Sequence, residues 1–154
     1  MTRKLLLAAA TVAVAASSAV AQGGRHPLVG QWQVQGAAPV VHRNGDAAPP
    51  ATALLTITQD GNQLVAKLET PSARTNAPST THVLRGVVVG DSAQFTFTAP
   101  TRVVDGKHRA LRDTQVRWMI SAHGSELHGS QLRVISATSE LLAPSPLWGT
   151  RIGG

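Results

Sequence analysis

The chain predicts an all-β domain, an antiparallel up-and-down barrel of about eight strands, on three observations. Beyond residue 21, apolar side chains recur with period two rather than at a helical interval. Tight turns of glycine with aspartate, asparagine or serine join pairs of these stretches. Long connections, each containing proline, alternate strictly with the short turns.

The first expected strand, 30–36, opens with GQWQV. The second and third, 53–59 and 63–69, belong to the unit ITQDGNQLVAKL, turning at Asp60-Gly61-Asn62; QLVAKLE groups Leu64, Ala66 and Leu68 on one face. The fourth and fifth, 81–89 and 93–98, flank Gly90-Asp91-Ser92. VLRGVVVG is apolar on both faces, which fits a strand covered on both sides or one wide apolar patch. QFTFT sets Phe95 and Phe97 against Gln94, Thr96 and Thr98. The sixth and seventh, 112–122 and 125–134, flank His123-Gly124-Ser125, and QVRWMIS groups Val116, Trp118 and Ile120. Leu127 and Leu132 would face opposite sides of a regular strand, so a bulge near Gly129-Ser130 is expected to bring them to one face. PLWGTRI supplies the eighth, 146–152. The long connections are then 37–52, 70–80, 99–111 and 135–145, with at most a short helical turn at 136–143.

In an antiparallel meander every second connection lies at the same end. The short turns therefore gather at one end and the long loops at the other. Eight strands laid flat would leave two exposed edges, and closure removes them. A flattened β-sandwich also fits the strand pattern but gives up that argument.

The first 21 residues stand apart. MTRKLLLAAATVAVAASSAVA has a basic start at Arg3 and Lys4, a short apolar run and a terminal Ala19-Val20-Ala21, the pattern of a signal peptide. The run is too short to span a bilayer, which takes roughly 20 apolar residues. An exported, periplasmic or secreted bacterial protein without a membrane span is expected. One domain, 22–154, remains. The chain has no cysteine, so thiolate metal sites, thiol nucleophiles, disulfides and a lipid-anchoring cysteine are excluded. Eleven arginines against three lysines point to a GC-rich bacterial source. Without Arg3 and Lys4 the formal charge falls from +6 to +4. Nucleic acid is not an expected partner, because no tyrosine and only two phenylalanines are present for base stacking.

If the barrel closes, the first and last strands are neighbours, with Trp32 and Arg151 together at the tight-turn end. A guanidinium over an indole face contributes roughly 0.5–2 kcal/mol and would seal that end. Trp148, three residues from Arg151, should point to the opposite face. Gly30-x-Trp32 with the late arginine resembles the calycin arrangement of lipocalins and other short barrels. Together with LTITQDGNQLVAKL and LRGVVVGDSAQFTF, it is similar to small exported bacterial lipocalin-like proteins. The chain departs from classical lipocalins in its shorter length, in lacking a T-D-Y-type turn and in having no C-terminal helix.

The resemblance implies that function lies at the long-loop end, where small molecules enter such barrels. Ile57, Leu64, Leu68, Phe95, Phe97, Val116, Trp118 and Ile120 are expected inside, as plain core or as pocket lining. The leading expectation is non-catalytic binding of a small apolar or amphipathic molecule against Phe95, Phe97 and Trp118. A basic rim that includes Arg102, Lys107, His108 and Arg109 would orient an anionic ligand. The alternative is a protein-interaction or inhibitor module with a packed interior, using the Pro-rich loops. A barrel enzyme ranks third: the chain has no nucleophile-elbow, phosphate-loop or dinucleotide motif, and Asp113 with Glu126 is the one carboxylate pair that could face each other. No cofactor is expected. The six histidines show neither H-x-H nor H-E-x-x-H spacing, so no metal site is expected either.

Overall fold

The computed structural model describes residues 24–37, 39–47, 51–72 and 76–153. The expected leader, 1–21, lies outside the described residues. The strands are β1 (Gly30–Gln35), β2 (Val40–His42), β3 (Thr52–Asp60), β4 (Gln63–Thr70), β5 (Thr80–Val89), β6 (Ser92–Asp105), β7 (His108–His123), β8 (Glu126–Ile135) and β9 (Ser145–Arg151). Eight of them close an antiparallel ring in chain order: β1 pairs with β3 and β9, and β6 pairs with β7. The fold is the predicted all-β, closed, up-and-down barrel, an architecture consistent with the calycin type. Among the described residues no helix is long and apolar enough to cross a membrane.

Local chemistry sets the hairpins. Four of them have two-residue loops, Gly61-Asn62, Gly90-Asp91, Gly106-Lys107 and Gly124-Ser125, with glycine first and at φ between 57° and 61°. Glycine at a positive φ in the first central position is what a type II′ hairpin turn needs, and that turn twists in the same sense as the strands. Three of these turns close the bottom of the barrel.

The fourth corrects the expected connection 99–111. That stretch is not a loop: β6 and β7 continue through it, paired without a break from Ser92↔Ser121 to Asp105↔His108. The hairpin rises above the barrel, since β7 pairs with β8 only from Thr114 onward. Here β6 gains a new partner, the short β2, which lies parallel to it from Val40↔Arg102 to His42↔Val104. The connection 37–52 thus holds a ninth strand that straps the hairpin.

Pro100 misled the sequence reading, and its place in the ladder shows why a strand tolerates it. The Arg102 amide donates to the Pro39 carbonyl on the β2 side, 2.7 Å away. Residues two apart in a strand point the same way, so the ring nitrogen of Pro100 faces that side too. β5 has already left there: its ladder with β6 covers only Arg85–Val89, whereas its ladder with β4 runs on to Thr70↔Thr80. Proline sits where no hydrogen-bonding partner strand is present.

The second correction concerns β8. Its register with β7 is unbroken from Thr114↔Ile135 to His123↔Glu126, so no bulge forms near Gly129. Leu127 is inward and buried, whereas Leu132 faces out, and Gln131 and Arg133 take the inward positions. Gly129 marks a close approach instead. A Cβ there would strike the Met119 carbonyl and Ile120 Cγ2 on β7.

Core packing divides the barrel. Trp32, Val34, Leu55, Ile57, Leu64, Leu84, Phe95, Ile120, Leu127 and Leu147 are buried and belong to one cluster. At the bottom Arg151 lies over Trp32, its Cζ 4.1 Å from the ring centroid. Arg151 also donates to the carbonyls of Val29 (2.9 Å) and Pro27 (2.7 Å), and the Trp32 indole donates to the Leu28 carbonyl. Trp148 points outward. A second, small cluster of Val41, Val103, Ile135 and Leu142 holds the strap and the 136–144 loop at the top.

Candidate ligand site at the loop end of the barrel

The upper half is not filled. A cavity of about 520 Å³ opens there, lined by Leu68, His82, Phe97, Ala99, Trp118 and Arg133 among others. Its position follows from the strand pairing. Thr80 and His82 of β5 stand on one side of the split sheet, and Phe97, Ala99 and Pro100 of β6 on the other, so the cavity also reaches the gap between these strands. The His82 and Phe97 rings lie across that gap with centroids 6.4 Å apart. Phe97 meets Trp118 edge-on at 5.4 Å, a favoured aromatic geometry that fixes the cavity floor. The strap contributes Ala37, Pro39 and Val40 to the top of the lining.

The β8 wall is polar and ordered. Gln131 accepts the Trp118 indole N–H at 3.2 Å and donates its amide to the Gly36 carbonyl and to Ser145 Oγ. Arg133 Nη1 donates to Thr101 Oγ1 at 2.7 Å, and Nη2 donates to Gln131 Oε1 at 3.3 Å. Thr114 donates its hydroxyl proton to the Ala99 carbonyl, so the proton between the two threonines, 2.7 Å apart, belongs to Thr101. The direction of the chain is thereby settled as Arg133 to Thr101 to Thr114 to Ala99. Burial pushes the Arg133 pKa down from the ordinary arginine value to about 10, which leaves the side chain a cation at neutral pH.

The expected ligand-contacting residues divide three ways. Phe97, Trp118 and Arg102 line the cavity. Phe95 lies deeper, fully buried in the filled half against Gly86. His108 and Arg109 stand exposed on the β6–β7 hairpin and are not among the cavity-lining residues. Arg43, another loop-end cation, forms ion pairs with Glu140 (3.0 Å) and Asp105 (3.7 Å). Asp113 and Glu126 are not brought together: Asp113 pairs with Pro100 near the top of β7, and Glu126 with His123 at the bottom turn. Among the described residues, no three histidine or carboxylate side chains converge as a metal would need.

Sequence reasoning missed Arg133, Gln131, Thr101, Thr114 and His82. The usable signal was the alternation of β8 itself. Read without a bulge, ELHGSQLRVI turns Gln131 and Arg133 inward with Leu127. Comparison of the chain with protein-family models, with curated proteins and with solved structures returns no match.

Proposed function

We propose that this chain is an exported, non-catalytic barrel of the lipocalin-like type that binds a small apolar or amphipathic molecule at its loop end. The observation that carries the reading is the cavity of about 520 Å³ above a solid lower half, within the range of roughly 300–1,000 Å³ typical of small-molecule sites. Leu68, Phe97, Ala99 and Trp118 offer apolar surface to the ligand body, and the strap and the β5–β6 gap are its two routes of entry. The leader-like 1–21 supports export, and N-terminal sequencing of the mature protein should start at Gln22.

The test uses Trp118 as the reporter, with 1-decanol as a neutral amphiphile. Titration should change the tryptophan emission saturably, and Ala99→Trp, which fills the cavity, should abolish binding while leaving the far-ultraviolet circular dichroism unchanged. Native mass spectrometry of protein purified from its source should show a small-molecule mass shift. Decanol binding that survives Ala99→Trp would contradict the site. A second reading, a protein-interaction module, draws on Trp148. This side chain is 42% exposed beside a separate groove lined by Pro144, Pro146 and His42. Trp148→Ala should leave decanol binding intact under the first reading.

A further inference from the structure

The Arg133 side chain has an unusual setting for an arginine. It points into the barrel from β8, is only 3% exposed, and still forms part of the cavity wall. Its described side-chain partners, Thr101 and Gln131, are neutral. They hold the guanidinium plane in place. The hydroxyl chain from Thr101 through Thr114 to the Ala99 carbonyl ends on the backbone, so the scaffold is anchored in the sheet.

The charge of the whole cavity points the same way. None of the described residues that line it is acidic, while Arg133 and Arg102 are both cationic. The carboxylates Glu69, Asp105, Glu126 and Glu140 pair instead with Lys67, Arg43 and His128, none of which lines the cavity. The opposite wall carries the apolar surface: β4 stands across the ring of eight strands from β8, and its Leu68 faces the cavity with Phe97 of β6, beside the polar Thr70, Thr80 and His82. A buried cation on one wall and Leu68 with Phe97 on the other suit a ligand with one anionic group and an apolar body.

We infer that Arg133 is the anion receptor of this cavity and selects amphiphiles that carry a single negative head group, a carboxylate being the simplest. The inference rests on the cavity being the ligand site proposed above. It moves the charge recognition from the exposed hairpin cations to a buried one. Desolvation is the physical reason: a charge-assisted hydrogen bond made away from water is worth more than one made at an exposed rim.

The experiment compares decanoate with 1-decanol at neutral pH and 150 mM salt, on the full chain. Decanoate should bind about tenfold to a hundredfold more tightly than decanol, the span expected of a charge-assisted hydrogen bond. Arg133→Met should remove that preference, lowering decanoate affinity by at least about tenfold more than decanol affinity. Lys107→Ala with Arg109→Ala, outside the cavity, should leave decanoate affinity within about twofold at this salt, where exposed charges are largely screened. A measurement on the unaltered protein guards against a variant that does not fold: the carboxyl of bound [1-¹³C]decanoate should titrate below its free pKa. Equal binding of both probes, or a bound carboxyl pKa that is unchanged or raised, overturns the role of Arg133 while leaving the cavity reading intact. If neither probe binds, the cavity reading itself fails and takes the receptor with it.

Discussion

Gly30 and Arg151 show how a two-residue relation closes this barrel. Gly30 has φ +144°, and a Cβ built on it would lie 2.5 Å from Arg151 Nη1. The glycine of G-x-W is therefore the space in which the guanidinium reaches Trp32 and the carbonyls of Pro27 and Val29. Gly30→Ala should destabilise the protein by roughly 2–4 kcal/mol, combining backbone strain with loss of the cation–π contact. Urea unfolding measures it, and a double-mutant cycle isolates the cause. In an Arg151→Met background the same glycine substitution should cost clearly less, because the clash is with Arg151. Equal costs in both backgrounds would place the strain in the backbone alone.

Elements are matched across the barrel by size. On the inner face Gly86 of β5 stands opposite Phe95 of β6, and an added Cβ would come within 2.5–2.8 Å of three ring carbons. The phenyl ring lies over the glycine and fills the space between two strands, which is how small barrels interdigitate large and small side chains. Gly86→Ala should cost roughly 1–3 kcal/mol by overpacking, seen as a lower urea midpoint. Combining it with Phe95→Leu should recover part of the loss. The element above is held differently: β5 parts from β6 after Arg85↔Thr96, and β6 continues with β2 as its neighbour. The split creates both the cavity and its side opening.

At the scale of the whole molecule, stability and the proposed function pull against each other at Arg133. With its pKa lowered to about 10 by burial, the protonated side chain costs folding on the order of 3 kcal/mol below pH 10. Arg133→Met should thus unfold at an equal or higher urea midpoint at pH 9 than the unaltered protein. The sign of the pH dependence follows from the direction of the shift. Above pH 10 the unfolded chain keeps a proton that the folded chain has released, so this group's contribution to stability rises with pH. The advantage of Arg133→Met should therefore shrink by about 1 kcal/mol between pH 9 and 11. A constant difference across that range would show that the guanidinium is not desolvated. An equal or higher midpoint for Arg133→Met would fit a binding role for this residue better than a packing role.

Several features were legible in the residues themselves because they are local. Period-two alternation, glycine-led two-residue turns and the order of long and short connections specify antiparallel strands and sort their connections to two ends. Phe97 and Trp118 could be placed on the inner face by alternation alone, since side chains in a strand change face at every step. The four long-range features were not legible. Pro100 reads as a loop until its nitrogen is seen to face a gap. Asp105-Gly106-Lys107 reads as part of a loop until β2 and β7 are seen to flank β6. Gly129 reads as a bulge until Ile120 is found where its Cβ would be. Arg133 reads as an ordinary strand cation until the ring of strands puts its face inside. Each depends on which strand lies beside or across from another, and pairing between residues distant in the chain is decided by packing and not by local propensity. The residues alone determined an antiparallel barrel with a loop end. Tertiary structure decided that half of it is solid, that the other half is a cavity, and that the charge facing the cavity is a buried arginine.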